Sequence, residues 1–406
     1  MADTVKSLPS KKPLWWLALG AFSIATEAFM IAPLLPDMAA DLSVSLAAAG
    51  QLVTVFALVY ALSSPILTTL TGSLNRRDLL IVSLGCFALA NVVAFASSDY
   101  ATLMIARVLL ALAAGLYLPN ASAVAGALVA PEQRGRALAI VTGGSSLAMA
   151  LGVPLGAVIG DAAGWRMTFA GVAVLAIVGT LGLVFGLPKE FGKGFPTATL
   201  RQRITVARKP IVLLALVSTL LWATGAYAVY TYVAAYVDTV AGADGIPLAS
   251  MLLVWGIAAV VGIFGGGRLT DKLGPRRTIA LALTLLSFAF FALSAIAKFI
   301  PYPHALPLLV ATLVLWGIAA WGFIAPQQAR LIGVAGVDGA PVALSLNASF
   351  MYFGSSLGAA LGALTLSQGT ASDLGWVAAI CELASLAILV VAERQTFRTM
   401  SAIPTG

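Results

Sequence analysis

The chain has 406 residues, of which 60% are hydrophobic and only 10% charged, and its mean hydropathy is +1.00. A soluble domain carries about 25% charged residues, so there is too little charge here to coat a water-facing surface. The net charge of +7 does not point to nucleic acid, because the basic residues fall in short gaps between long apolar blocks and form no stripe.

A helix needs about 20 apolar residues to cross a bilayer. In chain order the sequence predicts twelve such helices, over 14–37, 47–71, 79–97, 101–127, 138–161, 166–187, 211–237, 248–269, 278–299, 306–330, 340–366 and 374–392. The blocks are continuously apolar where the strands of a membrane barrel would alternate. The expected class is therefore an all-α membrane protein. The Lys-rich start and first apolar run superficially resemble a signal peptide. The run is too long, however, and has no small-residue cleavage site before Asp37, so a retained first helix is expected. Cys86 and Cys381 fall inside apolar blocks and read as buried free thiols, not a disulfide or metal framework.

Orientation follows from the basic residues in the gaps. Of the 23, Arg107 lies within a span, and Arg166 and Lys298 fall on one side. The other 20 fall on the opposite side: Lys6, Lys11 and Lys12, then Arg76 and Arg77, Arg134 and Arg136, a cluster from Lys189 to Lys209, another from Arg268 to Arg277, Arg330, and Arg394 with Arg398. Excess Lys and Arg mark cytoplasmic loops, so both termini are expected in the cytoplasm. The other side carries Asp37, Asp41, Asp99, Asp161, Asp238, Asp244 and Asp373.

The longest gap divides the chain into six helices (1–187), a basic cytoplasmic linker (188–210) and six more helices with a short tail (211–406). The linker reads as a tether, solvated or lying on anionic lipid. The halves echo each other. Small residues recur every four positions in the fifth span, at Gly144, Ala148, Gly152, Gly156 and Gly160 with Pro154 among them, and in the eleventh at Gly354, Gly358 and Gly362. Such ridges let helix backbones approach closely. The gap with Gly72, Arg76 and Arg77 after the second span is likewise similar to the gap with Gly267, Asp271, Gly274, Arg276 and Arg277 after the eighth. Two pseudo-symmetric six-helix bundles are expected, a hallmark of secondary transporters, whose sites lie at the repeat interface near mid-membrane.

Three ionisable groups lie deep in the spans: Glu27, Arg107 and Glu382. An Arg, Lys or Asp at a helix centre costs at least ~2.5–3.5 kcal/mol, which makes such residues functional candidates by default. Glu27 sits midway along the first helix, after Ser23 and before Pro33, where a carboxylate is a candidate for gaining and losing a proton. Arg107 cannot face lipid cheaply and is expected to turn inward toward Glu27 or backbone carbonyls. Glu382, on the last helix, is expected to face a neighbouring helix. The other polar residues in the spans are Gln51, Asn91, Asn120, Gln327, Gln328 and Asn347. Aromatics gather in the second half, among them Tyr227 and Tyr230 with Trp222 in the seventh span, and Trp316 with Trp321 in the tenth. An apolar, aromatic cavity with a few polar groups suits amphipathic ligands, and Tyr227, Tyr230, Asn347, Gln51 and Asn120 are the candidates to line it.

Catalytic readings find no support. A phosphate-cradling G-x-x-x-x-G-K-[ST] loop is missing, since Gly192 and Lys193 lack the earlier glycine. His304 is the single histidine, and no Ser–His–Asp or Cys–His set can be assembled in the membrane. No enzyme activity, cofactor or metal is expected.

These residues resemble the major facilitator superfamily, specifically its twelve-helix drug:proton antiporter branch, over nearly the whole chain. The segment from Glu27 through Pro33 and Pro36 to Leu42 is similar to that branch's first-helix signature, in which the acid is a protonation site. Leu103 with Arg107 resembles the fourth-helix motif, whose arginine is implicated in proton transfer. Gly152, Pro154 and Gly156, followed by Gly164, Trp165 and Arg166, look like the fifth-helix antiporter motif. Pro131 to Arg136 is similar to the usual connection between helices four and five. The loop after Gly72 lacks the acidic residue the family carries there, with Asp78 displaced, whereas the later copy has Asp271 in that place. The resemblance implies a proton-driven efflux carrier working by alternating access, with Asp271, Arg276 and Arg277 as a cytoplasmic latch. Its expected partners are a small-molecule substrate, protons and the lipid bilayer of a bacterial inner membrane, with no nucleic acid, and it is expected to act as a monomer. Sugars or small metabolites are the alternative cargo, and a non-transporting receptor on the same fold is the alternative role.

Overall fold

The computed structural model describes residues 12–189, 199–241, 248–336 and 338–401. Lys6, Lys11, Glu190, Gly192, Lys193 and Asp244 lie outside the described residues, as do the side chains of Arg394 and Arg398. Twelve helices are long and apolar enough to cross a membrane: α1 Lys12–Asp41, α2 Leu46–Leu70, α3 Arg76–Ala96, α4 Tyr100–Ala127, α5 Arg134–Ala163, α6 Trp165–Gly186, α7 Pro210–Tyr230, α8 Leu248–Leu273, α9 Pro275–Phe299, α10 Ala305–Ala335, α11 Ala340–Gln368 and α12 Ala371–Ala392. No strand occurs among the described residues. Every expected span has its helix, often a turn longer than the apolar block. Hydropathy marks where lipid begins, but i→i−4 hydrogen bonding continues past that point.

Two helices are less regular than their sequence. The block expected as one span over 211–237 is broken: α7 stops at Tyr230, and a second helix runs Val233–Ala241. The residues between them redirect the chain so that the Tyr232 hydroxyl donates to the Ala359 carbonyl on α11 at 2.9 Å. In α5 the turn Ala148–Gly152 is π-helical, with the Val153 N–H reaching back to the Ala148 carbonyl. Pro154, two residues on from Gly152, has no N–H to continue the regular ladder, and π-turns tend to mark functional positions.

The chain forms two compact units: residues up to Met30 with Ile66–Thr197, and Ile31–Pro65 with everything from Ala198. In the first, α3 packs against α4 and α6. The ridge of α5 lies along α1, where a Cβ on Gly144 would overlap the Ala18 carbonyl, one on Gly152 the Thr26 hydroxyl, and one on Gly156 would stand 3.0 Å from Met30 Cβ. In the second, α7 packs on α11 and α12, α8 on α10, and α9 on α10 and α12. Here Gly354, Gly358 and Gly362 of α11 fit against the carbonyls of Leu220, Thr224 and Ala228 on α7. Also in this unit, Tyr60 of α2 stacks on Tyr352 with ring centroids 3.7 Å apart.

Large apolar side chains such as Phe185, Leu89, Ile105, Phe264, Phe288 and Phe299 are exposed on the spans. So much uncovered apolar surface suits a bilayer, not water. Cys86 belongs to this exterior. It is exposed on α3, contrary to the expectation of a buried thiol, while Cys381 is half-buried. An apolar setting in the sequence does not separate core from lipid face when both are apolar. Part of the linker is also better anchored than a solvated tether. Arg203, on a short helix Leu200–Ala207, is buried and donates to Ser345 Oγ at 2.6 Å. Lys209 Nζ reaches the last carbonyl of α10, Ala335, at 3.3 Å.

Candidate functional site

The site in the first unit is built on α1 and α4. Glu27 and Arg107 are both wholly buried, and Arg107 Nη1 donates to Glu27 Oε1. Glu27 Oε2 is buried without a hydrogen-bond partner, and so is Thr26 Oγ1 beside it. Thr26 in turn abuts Gly152 at the π-turn of α5. An ionised pair in an apolar interior is held only by its own geometry, so any change in the charge of one member is felt at once by the other. A step along α1, Tyr117 of α4 lies over Gly20 and donates to the Leu17 carbonyl at 3.2 Å. No sequence motif marked Tyr117 or Thr26.

The loop between α2 and α3 folds back into the same unit. Arg76 is buried and donates to Asn120 Oδ1 at 2.7 Å and, at 3.5 Å, to the Gly72 carbonyl. The Asn120 amide donates to the Leu116 carbonyl at 2.6 Å, so both ends of that side chain are engaged. Arg77 caps the end of α6, donating to the carbonyls of Val184 at 2.7 Å and Leu187 at 2.8 Å. Asn75 adds a bond to the Lys189 carbonyl at 2.8 Å. Helix C-termini leave carbonyls without intrahelical partners and favour cations, which is why an arginine serves here.

In the second unit the aromatic residues do come together. Tyr230 lies 5.0 Å from Trp255 and 6.0 Å from Tyr227, centroid to centroid. Trp255 and Trp316 are 5.5 Å apart, and Trp222 stacks on Phe323 at 4.9 Å. Tyr230, Val237, Met251, Trp255, Leu313 and Trp316 pack together closely enough to leave no room between them for a water molecule. Trp255, on α8, was not among the sequence candidates, because a lone indole in an apolar run carries no pattern. Asn347 is placed differently. Its Oδ1 accepts from Thr219 at 2.7 Å, and Gln327 Nε2 donates to both Thr219 Oγ1 and the Ala215 carbonyl. Gln51 is half-buried on α2.

After α8, Gly274 adopts φ +80° at the one-residue turn into α9, a conformation that favours glycine. Gly267 lies in the last turns of α8 with open space around its Cα. Asp271, Arg276 and Arg277 are exposed. Pro154 and Gly156 follow the π-turn and are buried.

A family model described as Major Facilitator Superfamily matches residues 17–359. The chain belongs to the major facilitator superfamily. It is 34% identical to an uncharacterized MFS-type transporter of Bacillus subtilis, YbcL, over 90% of this chain and 92% of that one. It is 31% identical to the inner membrane transport protein YdhP of Escherichia coli, with 94% and 96% covered. The same identity, 31%, relates it to a chloramphenicol resistance protein of Streptomyces lividans, with 96% and 98% covered. In fold it matches the crystal structure of the human organic anion transporter MFSD10 with a TM-score of 0.71 at 17% identity, over 94% of this chain and 99% of that one. This member of the major facilitator superfamily is therefore a multi-pass membrane transporter and not an enzyme.

Proposed function

We propose that the chain exports small amphipathic or drug-like compounds across the bacterial cytoplasmic membrane in exchange for protons. The carrying observation is the wholly buried Glu27–Arg107 pair, with one carboxylate oxygen left without a partner beside the π-turn of α5. Protonating Glu27 removes the negative charge that faces the buried guanidinium of Arg107. The packing that suits one protonation state of the pair does not suit the other, and this is the linkage a coupled carrier needs. Each charge that crosses the membrane adds ~2.3 kcal/mol per 100 mV to the driving force.

In this reading substrate binds from the cytoplasm with Glu27 ionised, alternating access presents it outward, and proton uptake by Glu27 favours release. The proton then leaves on the cytoplasmic side. Asp271, Arg276 and Arg277 close as a cytoplasmic latch in another state of the cycle. The Lys and Arg distribution supports cytoplasmic termini, and a monomer suffices because both members of the coupling pair come from one chain. The chloramphenicol resistance relative supports drug-like cargo, and so do the clustered indole and phenol rings.

Proton release from the purified protein on adding chloramphenicol or a lipophilic cation, wild type beside Glu27→Gln, tests the reading. Release in wild type and none in the variant is expected. Binding with no release by either protein would overturn antiport. Competition by sugars but not by lipophilic compounds would move the cargo to hydroxylated metabolites.

A further inference from the structure

Glu382 has no place in this mechanism, yet it is the other carboxyl buried in the spans. It lies on α12 with no solvent exposure, and neither of its oxygens has a hydrogen-bond partner. The carboxyl fills a notch on α7. A Cβ placed on Gly225 would stand 2.6 Å from Glu382 Oε1 and 2.8 Å from the Ala378 carbonyl. The helices packed against α12 are chiefly α7 and α9. Neither brings a basic group to Glu382: α7 presents Gly225 there, and between Arg277 and Lys298 α9 has no charged residue. The remaining titratable neighbour is Cys381, the adjacent residue on α12. Lys298 is engaged with Asp373 at the end of the helix, at 2.5 Å.

A carboxylate with no donor and no counter-ion, buried between apolar helices, is among the most costly groups a protein can bury. The neutral acid suits the same surroundings. We propose that Glu382 is a second proton-binding site, separate from the Glu27–Arg107 pair, which holds its proton while α7 and α12 are packed together. Donors for the ionised form lie one turn along the same seam. Ser385 Oγ donates to the Ser218 carbonyl at 2.9 Å, and the two serine hydroxyls are 2.9 Å apart. A rotation of the Glu382 side chain toward this pair, or water admitted between the helices, would let the proton leave.

The infrared carbonyl stretch of a protonated carboxylic acid gives a direct reading on the full-length protein in lipid nanodiscs. Wild type should show such a band, lost in Glu382→Gln and kept in Glu27→Gln, and fading as the pH of the bath is raised. The isosteric glutamine removes the group that is hard to bury, so this variant should fold at least as well as wild type. Gly225→Ala, which pushes a methyl against Oε1, should shift the band or the pH at which it fades. Spectra of wild type and Glu382→Gln that superimpose at every pH would overturn the proposal, whatever the fate of the Glu27 reading.

Discussion

Glu27 accepts from Arg107 with neither side chain exposed to solvent, so one residue of α1 and one of α4 neutralise each other inside the first unit. Removing one partner of such a pair is far more harmful than removing both, because the survivor remains charged and buried. Arg107→Ala should lower stability in detergent by ~3–5 kcal/mol, and Glu27→Gln combined with Arg107→Met should recover most of it. Thermal unfolding of wild type and the two variants checks this, and vesicle transport should be lost in both variants. A double variant no more stable than Arg107→Ala would show that the two groups do not act as a pair.

Adjacent glycines on α5 should respond with opposite signs. A Cβ on Gly143 meets nothing within 4 Å, whereas one on Gly144 overlaps the Ala18 carbonyl. Gly143→Ala relieves the helix penalty of glycine and should gain up to about 1 kcal/mol. Gly144→Ala forces α1 and α5 apart and should cost about 1–3 kcal/mol. Equal melting shifts for the two would contradict the seam described here.

Asp99 gives an acid dependence outside the membrane. It precedes α4, accepts the Thr102 N–H at 2.9 Å and the Thr102 hydroxyl at 2.7 Å, and these bonds hold its carboxyl below the usual range. A depressed folded-state pKa means that the stabilisation is present above the unfolded value and disappears as pH falls through the folded one. Wild type should therefore lose more stability on acidification than Asp99→Asn, since asparagine caps a helix without titrating. Parallel pH–stability curves for the two proteins would remove Asp99 from the account.

Arg77 binds the α6 terminus through two different nitrogens, Nε to Leu187 and Nη2 to Val184. Each charge-assisted bond is worth roughly 1.5–3 kcal/mol. Arg77→Ala should lose at least one bond's worth of stability, and Arg77→Lys should fall between, because a single ammonium does not span both carbonyls as the planar fork does. A lysine variant as stable as wild type would mean that charge alone matters at this position.

Much of this was legible in the sequence because a membrane chain spends charge sparingly. The apolar blocks mark α1 to α12, and Glu27 and Arg107 stand out as opposite charges where charges are rare. The glycine ridges of α5 and α11 show by spacing alone that other backbones must come close. What stayed hidden depends on partners remote in sequence. Asn120 was expected to line a substrate cavity, and the structure brings it to Arg76, the first residue of α3. Asn347 likewise meets Thr219 and, through it, Gln327. The break after Tyr230 leaves no trace in hydropathy, since Thr231 and Tyr232 interrupt the helix without interrupting the apolar run. The exposure of Cys86 is invisible for the complementary reason that lipid and core select the same residues.

The two glycine seams also restrict how the helices can slip. Along α11, each of Gly354, Gly358 and Gly362 seats against a carbonyl of α7 four residues beyond the last, and the ridge of α5 is matched to α1 in the same steps. The teeth of such a rack mesh only at intervals of about one helical turn, 5.4 Å. Any smaller slide would drive a carbonyl into a Cα, so the low-energy options are to stay in register or to jump a whole notch. Each seam thus makes a stiff double beam of its two helices: α7 should carry α11 with it, and α1 should carry α5, so that the bending falls to the segments between the beams.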